Sequence, residues 1–320
     1  MSRRLACVSV DLDPLACYYR IHALGPHPAG LADVILRRAV PRYLDVFARH
    51  GVRATFFVVG SDVDGGSLGA QAARALVREM VAAGHEVANH SFSHPYDLAR
   101  LPAATVEEEI RRADGVIAAA AGAAVVGFRA PGYDLSATML DVVAGLGYVY
   151  DSSIFPAPGY YVAKAAIMAG LRLLGRKSGA VMTDPRALIA PTDPYRPSSI
   201  APWRRGQSTV VELPIAVTPG LRLPAIGTNL LLFPTSVRAA WLASMRSRPL
   251  FNLELHGIDL CDAADDGMPA ELVARQVDLR ASLALKRRAF ESTLERLAPE
   301  YQFVPLREAA KEVQREGRLR

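Results

Sequence analysis

Two carboxylates end an apolar run near the start of the chain: in VSVDLDP, Val8 to Pro14, only Leu12 separates Asp11 from Asp13. Further along stand His90 and His94 in NHSFSHP, Arg129 in FRAPGY, Asp151 in YDSS, and His256 with Asp259 in LHGIDL. Carboxylates and imidazoles hold divalent metals and move protons near neutrality. H-x-x-x-H has metal-ligand spacing if Ser91 to His94 opens a helical turn, because residues four apart share a helix face. Two neutral imidazoles and one carboxylate, with coordination positions left open, suit a catalytic zinc or another borderline divalent metal. The acidic pair is expected to converge through a turn at Leu12 and to divide its roles. One carboxylate would ligate the metal and the other accept a proton, making a nucleophile from water.

Plainer readings stand beside these. Aspartates before Pro14 form turns, and one histidine could cap a helix while the other is exposed. DLD is also the metal-nucleotide pattern of some glycosyltransferases, where magnesium or manganese bound through oxygens would leave His90 and His94 superfluous.

Strand-like and helix-like stretches alternate around these residues. LACVSVD precedes a helical pattern from Asp33 to His50, followed by RATFFVVG, the helix SLGAQAARALVREMVAAG, HEVANH, a helix from Thr105 to Ala121, VVGFRAP, a helix from Ser136 to Leu146, and YVYDSS. Such repetition predicts an α/β fold with a parallel sheet, as a closed (β/α) barrel or an open doubly wound sheet. In either, the working residues gather at the carboxyl ends of strands. A proline-rich stretch from about 156 to 208 interrupts the rhythm and reads as an insertion in one catalytic domain spanning 1–320. Beyond it come strand-like STVVELP and NLLLF, a helix from Thr235 to Arg246, the strand LFNLELHG, a long helix from Pro269 to Leu297, YQFVPL and a C-terminal helix.

The 320 residues are 51% hydrophobic and 22% charged, enough for a large core, which excludes disordered and fibrous classes. Three scattered cysteines form no C-x-x-C pair, so a reducing, cytoplasmic location is expected, and the run after Arg3 and Arg4 does not read as a signal peptide. The longest near-apolar run, Gly115 to Phe128, is short of the roughly 20 residues that span a bilayer. A net charge of +5 spread along the chain gives no case for a nucleic-acid partner.

Taken in order, SVDLDP, ATFF, HEVANHSFSH, GFRAPGY, YDSS and LHGIDL resemble the NodB-type polysaccharide deacetylases, carbohydrate esterase family four. The resemblance implies a distorted (β/α) barrel holding a divalent metal, usually zinc, through one Asp and two His, and removing an acyl group from a sugar amide. The usual family motif has adjacent aspartates; here Leu12 intervenes. That form looks more like the branch containing lipid-linked aminoarabinose deformylases and allantoinase-like or imidase-like hydrolases. By this resemblance Asp11 is the base, Asp13, His90 and His94 are the metal ligands, and His256 is the acid that protonates the amine. Arg129 would hold Asp11 ionised, the Gly132-Tyr133 turn would aim a backbone N–H at the oxyanion, and Asp259 or Asp151 would orient His256. Glu254, two residues before His256, shares its strand face without an assigned role.

The substrate expected is an amino sugar, free or lipid-linked, losing an acetyl or formyl group, with a small non-sugar amide as the alternative. Within the insertion, Tyr160, Ala163, Ile167, Leu171 and Leu174 fall near one helical face with Lys164, Arg172 and Arg176 to one side. Residues 160–177 could thus lie on the inner face of a membrane, or pack on the barrel or in a homo-oligomer contact.

Overall fold

The computed structural model describes residues 4–315. Eight strands form one sheet: β1 Arg4–Asp11, β2 Thr55–Val58, β3 Glu86–Asn89, β4 Gly127–Phe128, β5 Tyr150–Asp151, β6 Val211–Glu212, β7 Leu250–His256 and β8 Tyr301–Phe303. Every pairing is parallel, in the order β6-β5-β4-β3-β2-β1-β7, with β8 beside the first residues of β1. Seven of the eight β1 residues are buried, as a parallel strand covered on both faces requires.

Among the described residues no ladder joins β6 to β7. The gap is bridged instead by Ala216 N–H to the Asn252 carbonyl (3.0 Å) and by Asn252 Nδ2 to the Leu213 carbonyl (2.9 Å). This is the distorted, incompletely closed α/β barrel that the motifs imply.

Helices wrap the outside, and their ends follow local chemistry. Helix Leu68–Ala82 starts where the Ser67 hydroxyl accepts the Ala70 N–H, and helix Ala103–Ala121 stops at Gly122 in the left-handed region. Val106, Ile110, Ala113 and Ile117 are the buried face of the latter, at helical spacing.

Two expected elements differ. NLLLF is not a strand: residues Gly227–Leu232 form a helix, ended by Phe233 and Pro234. The long helix expected from Pro269 to Leu297 is broken into short turns and a helix from Leu283 to Leu297. It restarts at Ser282, whose hydroxyl accepts Leu285 N–H, while the Asp262 carboxylate takes Leu283 N–H at 2.7 Å.

The 156–208 stretch contains helix Pro158–Leu173 and is tied to the barrel mouth. Gly179 N–H donates to the Arg20 carbonyl (2.9 Å), Ser178 Oγ to Ile21 (2.6 Å), and Thr183 Oγ1 to the Tyr133 carbonyl (3.1 Å). Tyr161 and Leu171 are its buried residues, whereas Val162, Ile167, Leu173 and Leu174 are exposed.

Candidate active site

The carboxyl ends of β1, β3, β4 and β7 deliver Asp11, His90, Arg129 and His256 to one end of the barrel. Asp11 and Asp13 converge without the turn expected at Leu12. The chain stays extended, with Leu12 N–H bonded to the Phe57 carbonyl at 3.0 Å, and residues two apart on an extended chain share a face. Leu12 points the other way, into the main apolar core.

Asp13, His90 and His94 form one buried cluster. Asp13 Oδ1 is 3.1 Å from His90 Nε2 and 3.2 Å from His94 Nε2. The other imidazole nitrogens are held from behind. His90 Nδ1–H donates to the Arg129 carbonyl at 2.8 Å; His94 Nδ1 lies 3.3 Å from Cys17 Sγ, which also receives Arg20 Nη2 at 3.1 Å. Both rings therefore present Nε2 toward Asp13.

Convergence of the histidines does not come from the helical turn predicted for Ser91 to His94. Ser91 and His94 instead take left-handed backbone angles, φ 63° and 54°. Local side chains hold that strain. Asn89 Oδ1 accepts Ser91 N–H (2.8 Å), Ser91 Oγ accepts His94 N–H (3.1 Å), and Glu109 accepts the N–H groups of Phe92 and Ser93.

A second cluster joins Asp11, Glu254 and His256. Here protein partners already hold one oxygen of each carboxylate. Arg129 Nη1 donates to Asp11 Oδ1 at 2.5 Å, and Glu254 Oε1 accepts from Tyr133 OH at 3.0 Å and lies 3.0 Å from His256 Nδ1. Arg129 is fully buried, bonded also to Ser9 and Ser152, with its guanidinium 4.2 Å from the Phe57 ring centre.

These environments push the acids apart. Burial raises the Asp11 carboxyl, against the opposing pull of Arg129 and His90. Burial would raise Asp13 too, but His94 and His90 hold it well below the ordinary carboxylate value. Burial alone would lower His256; the adjacent Glu254 carboxylate overrides it and holds the imidazole well above its usual value.

Two orienting roles expected from the sequence are not the ones found. Asp259 Oδ2 accepts the backbone N–H of His256 (2.9 Å), so it fixes the chain and not the ring. Asp151 is buried behind Arg129, where its carboxylate accepts from Ser153 N–H and Ser153 Oγ, both at 2.9 Å. Neither lines the cavity. Glu254 holds the imidazole instead; its place two residues before His256 was the available signal.

Gly132 (φ 68°) and Tyr133 (φ 63°) are both left-handed, and a Cβ on Gly132 would come within 3.1 Å of Tyr96. The Tyr133 N–H turns back toward the Ala130 carbonyl at 3.3 Å. Its hydroxyl, not foreseen, bridges Glu254 and His256.

Above both clusters opens a cavity of about 350 Å³, walled by Tyr18, Tyr96, Tyr133 and Ile226 and by Tyr160, Lys164 and Ile167 of the insertion helix. The expected face of that helix thus forms part of the cavity wall.

A family profile described as polysaccharide deacetylase matches residues 30–150. The chain is 36% identical over 138 residues to a chitooligosaccharide deacetylase from Sinorhizobium fredii, covering 41% of this chain and 60% of that protein. Residues 30–150 are thus similar to the polysaccharide deacetylase family, and the chain spans less than two thirds of the length of the curated relatives it matches. A crystal structure of a putative polysaccharide deacetylase from Mycobacterium smegmatis shares the fold, with TM-score 0.59, 18% identity, and coverage of 99% of this chain and 92% of that one. So does Puue allantoinase, with TM-score 0.57, 15% identity, and coverage of 97% and 90%. The fold is therefore shared by proteins named for different activities. Among the described residues no helix is long and apolar enough to cross a membrane.

The loop holding the deacetylase-type histidines supplies a test. Asn89 is fully buried and also donates to the Ile110 carbonyl (3.0 Å) and Tyr148 OH (2.9 Å). Asn89→Ala should cost about 2–3 kcal/mol, because it leaves buried groups unpaired. Denaturant unfolding measures this, and a loss below about 1 kcal/mol would mean that the loop is held by other means.

Proposed function

We propose that the protein is a metal-dependent N-deacylase of an amino sugar, and that the observation carrying this reading is the division of its two aspartates. Asp13 lies against two imidazoles; Asp11 lies against Arg129. The donor set fits a divalent metal: two nitrogens and one oxygen, with His94 Nε2 buried and lacking a hydrogen-bond partner. Asp13, His90 and His94 would hold the ion, zinc by their donor chemistry. When bound, such an ion supplies Lewis acidity that polarises an acyl carbonyl and lowers the pKa of water.

The chain's own groups perform the proton transfers. Arg129 occupies Asp11 Oδ1, leaving Oδ2, 3.8 Å from His90 Nε2, to take a proton from the attacking water. The raised affinity of Asp11 for a proton suits that task. His256, kept protonated by Glu254, gives a proton to the amide nitrogen as the C–N bond breaks, so the products are a carboxylate and an amine. Tyr133 fixes the Glu254–His256 pair through its hydroxyl.

The superfamily and its chitooligosaccharide deacetylase relatives favour an acetylated amino sugar. A glycosyltransferase reading of DLD gains no support, because Asp13 meets imidazoles that a nucleotide-bound metal would not need. Formyl removal and a lipid-linked substrate are finer readings. The second draws on the exposed Val162, Ile167, Leu173 and Leu174 beside the cavity, suited to the inner face of a membrane. A cytoplasmic location is part of the same proposal and is supported by three buried, unpaired cysteines.

Asp11→Asn should lower kcat by about 10²–10⁴ while metal content is retained, whereas Asp13→Ala should lose metal under chelator competition. Equal metal loss in both, measured by elemental analysis, would overturn the division. Activity should fall as pH rises through the elevated His256 pKa, since the acid form is then lost. Glu254→Gln removes the raising charge and should shift that limb to lower pH; an unmoved profile would assign the acid elsewhere. Anionic phosphatidylglycerol vesicles should sediment the wild type but not the variant carrying Leu173→Asp and Leu174→Asp, and equal sedimentation removes the membrane reading.

A further inference from the structure

One wall of the catalytic cavity carries positive charge that forms no ion pair among the described residues. Lys164, on helix Pro158–Leu173, lines the cavity; its ammonium lies 5.8 Å from the centre of the Tyr161 ring and has no ion pair among the described residues. Arg275 lines the same cavity. Its backbone N–H bonds the Leu272 carbonyl, but its guanidinium has neither a carboxylate nor a hydrogen-bond partner among the described residues.

Two of the cavity's acids are engaged elsewhere: Asp11 is paired with Arg129 and Asp13 with the two histidines. The third, Asp278, forms no ion pair among the described residues, and burial raises its carboxyl toward the uncharged form, against the pull of Lys286. The unanswered charge is therefore positive. Burial also lowers Lys164 to about 8, against the pull of Asp134 and with repulsion from Arg100. An ammonium stripped of water without a partner costs stability, which an arriving anion restores.

Position adds the second part of the argument. Ile167, one helical turn beyond Lys164, and Val277, two residues beyond Arg275, both line the cavity yet are 60% and 61% exposed. They mark its outer rim. The two cations therefore stand near the entrance, on segments other than those carrying Asp11, Asp13, His90 and His256.

We propose that Lys164 and Arg275 form an anion subsite at the rim, receiving a phosphate-type group on the substrate whose amide is hydrolysed at the cavity floor. This deepens the deacylase reading by requiring a negatively charged amino sugar. Lysine meets phosphate as a point charge and arginine as a planar fork, so the pair can hold a phosphate without excluding water from it.

The test compares binding of N-acetylglucosamine 1-phosphate with that of the neutral methyl glycoside of N-acetylglucosamine, by calorimetry on the metal-loaded protein at low salt. Wild type should prefer the phosphate at least tenfold, and added salt should shrink the preference. Lys164→Gln and Arg275→Gln should each reduce it several-fold with neutral-sugar affinity kept. Thermal unfolding reports whether each variant remains folded. Equal binding of the two sugars, or a preference that survives both substitutions together, overturns the proposal. So does a preference that His94→Ala abolishes while both rim variants keep it, since the phosphate would then occupy the metal cluster. The deacylase reading fails separately, if neither sugar releases acetate, because the binding comparison does not depend on turnover.

Discussion

A guanidinium with no exposure stands in the middle of the barrel, and the arrangement around it follows from the need to satisfy it. A buried charge is tolerated only when paired and fully hydrogen-bonded. Arg129 meets that demand with Asp11 Oδ1, Ser9 Oγ, and both the carbonyl and hydroxyl of Ser152. Those partners lie on β1 and just beyond β5, so one side chain ties β4 to both. Asn252 of β7 extends the network by donating to Ser152 Oγ at 3.0 Å. It does so where β4, β5 and β6 are only two residues long and ladder bonds are fewest. Polar cement thus replaces strand pairing on the weak side of the barrel.

The same network sets what Asp11, the proposed base, can do. Because Arg129 fixes one oxygen of Asp11, the other is left facing the histidines. Behind the arginine, burial raises both Asp151 and Glu212, which favours their uncharged forms and leaves Asp11 as the carboxylate paired with Arg129. The YDSS motif is therefore structural support for the site and not part of its surface.

Much of this was legible in the sequence because catalytic groups at strand ends interrupt apolar runs. Asp11, His90, Arg129 and His256 each end such a run, and the alternation of elements announced a parallel sheet. What stayed hidden depends on backbone states that residue types do not specify. NHSFSHP supplies only part of what holds Ser91 and His94 left-handed, in Asn89 and Ser91; the rest comes from Glu109, on the following helix. NLLLF reads equally as strand or helix because five apolar residues show no period; Gly227 and Pro234 were the better guides. Ser282 looked like one more helical residue, yet its hydroxyl and the Asp262 carboxylate begin a new helix there. Asp259 and Asp151 were read by their nearness in sequence to the histidine or the motif, whereas each serves the nearest unpaired backbone N–H.

The proposed assignment of base and ligand, which spacing alone left reversible, is supported by the fields the fold imposes. Asp13, between two imidazoles, is held well below the ordinary carboxylate value and is a poor proton acceptor. Asp11 is raised by burial and retains the basicity that abstraction of a proton requires. Exchanging the roles would ask the more acidic group to take the proton and the arginine-bound group to leave its partner for a metal. Across the site the logic repeats: the buried Glu254 is held below its ordinary value, chiefly by His256 working against burial, so its charge keeps the imidazole protonated. One acid and one base, both raised, can then coexist in a single buried site, because each has its own counter-ion. Leu12 makes this separation possible: by turning into the core it sets the two aspartates two residues apart on one face, one within reach of Arg129 and the other within reach of the histidines.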